Sequence, residues 1–144
     1  MTDDTSRRRS ELRLLADGFK VSQAIYVLVA TGVADLLGQR EWTADDLAAE
    51  AGLHPRSLYR LLRALAAAGI LYESEGQRFR MTEVGELLDS KAPGSLAAWA
   101  EYMGSPLNWR TWGSLVESVR TGKTGYQILF DTDAWTYRGA HPAD

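Results

Sequence analysis

Thr43-Ala44-Asp45-Asp46-Leu47-Ala48-Ala49-Glu50-Ala51-Gly52, running on to His54-Pro55 and then Arg56 to Gly69, decides the fold. Thr43 and Asp46 form a capping-box pattern with Asp in place of Glu, and Gly52 stands where a left-handed residue stops a helix. Pro55 at the first helical position opens a second helix through Ala68, closed by Gly69. His54, just before it, reads as that helix's cap. Two short strands follow, Ile70-Leu71-Tyr72-Glu73 and Arg78-Phe79-Arg80-Met81, with Glu75-Gly76-Gln77 in the turn. Helix, tight turn, helix and hairpin outline a winged helix-turn-helix.

Upstream, Leu12, Leu15 and Phe19 recur at helical spacing behind Ser10, a candidate N-cap. Ala24-Ile25-Tyr26-Val27-Leu28-Val29-Ala30 is apolar on all sides and fits a buried strand or a helix buried on both sides. Length favours the helix, which the pattern continues through Gly32 to Val33, Leu36 and Leu37. A helix apolar all round needs more cover than one small domain supplies, which points to a partner. Downstream, Thr82 caps a short helix through Leu88, and Lys91 to Gly94 reads as a linker. Helices are expected from Ser95 to Met103 and from Asn108 to Arg120, while residues 125–144 are only weakly periodic. The expected fold is mainly α: a winged helix-turn-helix with a small β-hairpin at 10–90, flanked by dimerisation helices, then a helical aromatic-rich extension at 91–144.

At 144 residues the chain can bury a sizeable core, and 45% apolar with 24% charged residues argues against disorder. The absence of cysteine excludes disulfides and thiolate chemistry, and two histidines, His54 and His141, are too few and too far apart for a usual zinc site. No metal site and no catalytic residue is expected. The N-terminus has no signal-peptide character, and the longest apolar run is too short to span a bilayer, so the expected location is cytoplasmic and off the membrane. Eight of the fourteen aromatics lie after residue 95, the density of a pocket or an interface.

Three motifs bear on function. Arg56, Arg60 and Arg63 share one face of the second winged-helix helix, as DNA-contacting residues would, or as a solvated, internally paired face would. Thr43 to Gly85 holds five Arg against six Asp and Glu, an acidic balance for a DNA reader, so DNA is not the expected partner. Gly122-Lys123-Thr124 matches the tail of a P-loop, but Glu117 stands where the first glycine belongs and a helix precedes it. No Gly-x-Gly-x-x-Gly follows a strand, so a doubly wound cofactor site cannot be built from these residues.

Ala16 to Ala24 (ADGFKVSQA), Gly32-Val33-Ala34-Asp35-Leu36-Leu37, Thr43 to Gly52, Leu58 to Leu65 and Gly69-Ile70-Leu71 occur in an order that resembles the N-terminal region of small-molecule O-methyltransferases. The similarity continues through Met81 to Leu88, Ser118 to Lys123 and Ala140-His141-Pro142, covering Leu12 to Pro142. These are the S-adenosylmethionine enzymes of bacterial aromatic-antibiotic and plant phenolic pathways, some of which have drifted to hydroxylation or decarboxylation. The resemblance implies a winged-helix dimerisation domain that interlocks with a second copy. It also implies a following Rossmann-like domain carrying the glycine-rich loop and the catalytic base. Neither feature stands in these residues, so the chain is expected to be inactive alone and to hold no cofactor itself, with S-adenosylmethionine implied for the parent enzyme.

The expected role is therefore dimerisation, together with a share of the substrate pocket for an aromatic small molecule. Trp99, Tyr102, Met103, Trp109 and Trp112 are the pocket candidates, because flat apolar side chains suit a polycyclic phenol. Each could equally be a plain core residue. Ala16, Phe19, Ile25, Leu28 and Val29 are the candidates for a homodimer interface. The rival expectation is a small winged-helix transcription regulator, which has no use for the aromatic segment after Ser95.

Overall fold

The computed structural model describes residues 2–142, with side-chain surroundings from residue 4. Its backbone forms two compact units, Met1–Glu101 and Tyr102–Asp144. The expected linker at Lys91 to Gly94 lies inside the first. Leu96 N–H donates to the Leu87 carbonyl at 2.7 Å, and Ala97 and Ala100 are buried, which holds this stretch to the first unit's core.

The first unit opens with helix α1 (Thr2–Ala30), broken from α2 (Val33–Gln39) by a bend of 73°. The continuous helix expected through Gly32 is corrected here. Gly32 sits at φ 72°, a left-handed conformation that costs glycine little and ends the first helix. Ser10 is no cap either: its hydroxyl donates to the Ser6 carbonyl one turn back, inside a helix that starts earlier. Among the described residues no single helix is long and apolar enough to cross a membrane.

The winged-helix reading holds. Strand β1 (Trp42–Thr43) leads into α3 (Ala44–Ala51), whose cap is Thr43, accepting from Asp46 N–H at 3.1 Å and donating its hydroxyl to the Asp46 carboxylate at 2.7 Å. His54 Nδ1 accepts from Ser57 N–H at the start of α4 (Pro55–Ala67), the capping role expected of it. Strands β2 (Leu71–Ser74) and β3 (Arg78–Met81) form the hairpin. The two-residue β1, which the sequence did not reveal, pairs antiparallel with β3, so the order is β1-β3-β2, with Trp42 opposite Phe79 and Leu71 opposite Met81.

Alternation along β3 turns Phe79 and Met81 inward. They meet Leu58, Leu62 and Leu65 from the inner face of α4, Leu47 of α3, Val33 and Leu37 of α2, and Leu28 of α1. After β3, Thr82 donates to the Gly69 carbonyl and accepts from Gly85 N–H. The expected short helix is thus a single 3-10 turn, Gly85–Leu88.

Helix α5 (Ala97–Gly104) carries the chain across the boundary between the units. The second unit holds α6 (Pro106–Gly113), α7 (Leu115–Thr121), α8 (Gly125–Phe130) and α9 (Ala134–Ala140). The single helix expected from Asn108 to Arg120 is two, divided at Ser114, whose hydroxyl donates to the Thr111 carbonyl at 2.6 Å. The weakly periodic tail folds as α8, closed by a full capping box of Thr124 and Gln127, and α9, capped by Asp133.

Candidate interface and aromatic surface

At 100° per residue, α1 carries two apolar stripes. Leu14, Val21, Ile25 and Leu28 lie on one; Leu12, Leu15, Phe19 and Tyr26 lie on the other, roughly a third of a turn away. The first stripe enters the core at its C-terminal end. Leu28 is fully buried there, and Ile25 and Val29 pack against the same cluster. Three of the five interface candidates are thus held by the chain's own core, because α2 and α4 close over this end of α1. Leu28 in particular has no surface left for a partner.

The exposed apolar surface lies earlier in the helix. Leu12, Leu14 and Leu15 are 69%, 75% and 79% exposed, Phe19 is half exposed, and Ala16 and Val21 are exposed as well. Leu14 and Val21 were not singled out from the sequence, although both continue the stripe that ends in Leu28. Beside the C-terminal end of α1, an apolar groove of about 380 Å³ runs between Val27 and Thr31 on one side and Leu53, His54, Ser57, Leu58 and Leu61 on the other.

Arg63 pairs with Glu73 of the hairpin at 3.6 Å, and Tyr59 donates to the same carboxylate at 3.3 Å. In the wing, the Arg80 guanidinium lies 4.6 Å over the Tyr72 ring. Like Arg63, it is held by a side chain of its own fold.

Trp99 belongs to the first unit and is 59% exposed. In the second, Tyr102 is 41% exposed and Trp112 62%, while Met103 and Trp109 are half-buried. Buried Asn108 donates from its amide to the Met103 carbonyl at 2.7 Å, which fixes the end of α5 to α6.

A cluster that the sequence did not single out lies beside them. The Phe130 and Tyr137 ring centroids are 4.2 Å apart, Tyr126 meets both rings, and His141 stacks on Tyr137 at 4.3 Å. Arg138 donates from Nε to the Tyr126 hydroxyl at 3.2 Å and from Nη2 to the Tyr102 hydroxyl. The hydrogen bonds to Tyr126 and then Tyr102 hold its pKa above the usual arginine value. An Arg four residues after Ala134 on a short helix has no sequence signature of such a role. Among the described residues no group of three or more His, Asp and Glu side chains could hold a metal ion.

Three comparisons bear on what this arrangement is. A family model of the O-methyltransferase dimerisation domain matches residues 14–91. The chain is 32% identical over 133 residues to the phenazine O-methyltransferase PhzM of Lysobacter antibioticus, covering 92% of this chain and 39% of that one. It is 38% identical over 109 residues to the 8-amino-8-demethylriboflavin N,N-dimethyltransferase of Streptomyces davaonensis, 76% of this chain and 31% of that one. Its fold superimposes on the mitomycin 7-O-methyltransferase MmcR with a TM-score of 0.89 at 30% identity, covering 99% of this chain and 42% of that one. The chain therefore spans about a third to two fifths of the length of such relatives. With the winged helix, the broken N-terminal helix and the exposed apolar face all in place, the chain belongs to the O-methyltransferase dimerisation domain family.

Proposed function

We propose that the chain is the dimerisation and substrate-facing domain of an S-adenosylmethionine-dependent methyltransferase that acts on an aromatic small molecule. Two copies associate through α1. The observation that carries this reading is the exposed apolar surface of Leu12, Leu14, Leu15, Phe19 and Val21. Each such side chain, fully buried, gains about 1.5–3 kcal/mol. A symmetric pair uses the patch twice. That supply is large enough to offset the roughly 4–15 kcal/mol cost of association.

The other share of the function is the aromatic surface of α5 and α6. In the second unit, Tyr102, Met103, Trp109 and Trp112 offer flat apolar contacts to an aromatic ring, and the same unit adds hydroxyls and a cation that can orient it. Trp99, in the first unit, is a further exposed aromatic. Methyl transfer also needs a site for S-adenosylmethionine and a base for the acceptor. In this reading both belong to another domain of the parent enzyme, since no glycine-rich loop follows a strand in this chain. The acceptor atom stays open, because the relatives' names include both oxygen and nitrogen methylation.

Amide hydrogen exchange tests the association. Residues 12–21 should exchange fast in dilute protein and become protected as the concentration rises, while α4 stays protected throughout. Unchanged, fast exchange of residues 12–21 at every concentration, with α4 intact, would remove α1 from any interface.

A further inference from the structure

Arg138 is a partly buried cation, and among the described residues no carboxylate pairs with it. Its protein partners are two phenols, Tyr102 and Tyr126, and its guanidinium lies 4.8 Å and 5.8 Å over their rings. A phenol oxygen that accepts from a guanidinium keeps its own proton to give away, and the adjacent charge makes it a stronger donor. Tyr102 is 41% exposed. An uncompensated positive charge, a free phenolic donor and neighbouring aromatic rings share one ligand chemistry.

We infer that Arg138 and the Tyr102 hydroxyl together receive an ionised oxygen carried on the ring of the aromatic ligand, a carboxylate or a phenolate. This rests on the reading that Tyr102 faces substrate, and it adds a charge requirement to that reading. Arg138 supplies the field and orients the phenol, Tyr102 donates to the ionised oxygen, and Tyr126 accepts from Nε on the same edge of the guanidinium. No bond is made or broken.

The test is calorimetric titration of the 144-residue chain with salicylate and with its neutral amide, salicylamide. Para-nitrophenolate and para-nitroanisole form a second pair for the phenolate source. The anion of at least one pair should bind about tenfold tighter than its neutral counterpart, the gain of one charge-assisted hydrogen bond. A preference in the first pair assigns a carboxylate, and a preference confined to the second assigns a phenolate. In Arg138→Met the preference should vanish, and in Tyr102→Phe it should weaken.

Equal binding of anion and neutral compound by the native chain overturns the charge requirement alone and leaves an aromatic surface standing. Survival of the preference in a folded Arg138→Met also overturns it. Equal loss of both members in that variant makes Arg138 purely structural. Binding of none of the four compounds by the folded native chain overturns the aromatic surface as well.

Discussion

Asp35 and Ser90, 55 residues apart in the chain, are joined by two hydrogen bonds: Ser90 N–H donates to Oδ1 at 2.8 Å and its hydroxyl to Oδ2 at 2.9 Å. This clasp ties α2 to the segment after the 3-10 turn and so fixes where the chain leaves the winged helix toward α5. Asp35→Ala removes both acceptors at a partly exposed site and should cost about 1 kcal/mol. Urea denaturation should show a lower midpoint with an unchanged slope, because neither the core nor the surface exposed on unfolding is altered. An unchanged midpoint would mean that water replaces the clasp at no cost.

Gly85 is needed for a close approach. A Cβ there would lie 2.1 Å from the Ile70 carbonyl oxygen and 3.2 Å from Met81 Sδ. Backbone cannot yield as a flexible side chain can, so Gly85→Ala should destabilise by about 1–3 kcal/mol through overpacking. Gly113→Ala, where nothing lies within 4 Å, is the matched control and should leave the thermal midpoint unchanged or slightly raised. Equal effects at the two positions would show that the approach at Gly85 relaxes freely.

Asp133 caps α9, accepting from Trp135 and Thr136 N–H and from the Thr136 hydroxyl. The Thr136 bonds, from its hydroxyl first, hold its pKa below the ordinary aspartate value of 3.8. A carboxyl depressed in the folded state stabilises it fully above the unfolded pKa, and that contribution is lost as pH falls through the lower folded value. Side-chain carbon NMR should place the Asp133 titration below the aspartate reference. Amides at the start of α9 should lose protection only in that acid range, and Asp133→Asn should remove the pH dependence. A titration at or above the reference value would contradict the cap's electrostatic role.

The winged helix should not read DNA. Arg63 is engaged by Glu73, and the module is slightly acidic, so duplex binding should be weak, insensitive to sequence and abolished by moderate salt. A salt-resistant, sequence-dependent gel shift would restore the regulator reading.

Much of this was legible where local chemistry decides the structure. Thr43, Gly52 and Pro55 act on the backbone within one turn, and the 78–81 strand alternates cleanly, so the winged helix could be read without tertiary information. The start of α1 could not: Ser10 has a cap's side chain, but its hydroxyl bonds back to Ser6 inside a helix. The Thr124-x-x-Gln127 box and the Asp133 cap were present in the sequence, yet each opens a helix of six or seven residues, too short for hydrophobic periodicity to show. Leu28, offered as an interface residue, is buried in the chain's own core, because uniform apolarity between 24 and 30 marks burial without saying whether the cover is the chain itself or a partner. The Arg138 cluster joins α5, α8 and α9, and such convergence exists only after folding.

The account turns on association through the N-terminal half of α1. Sedimentation equilibrium of the native chain at micromolar concentration should return twice its 15.9 kDa mass. Leu15→Asp combined with Phe19→Asp should return the single mass with helical circular dichroism retained, since both side chains are exposed and the core does not use them. A native chain that sediments at 15.9 kDa at high micromolar concentration while fully folded would contradict the dimerisation role.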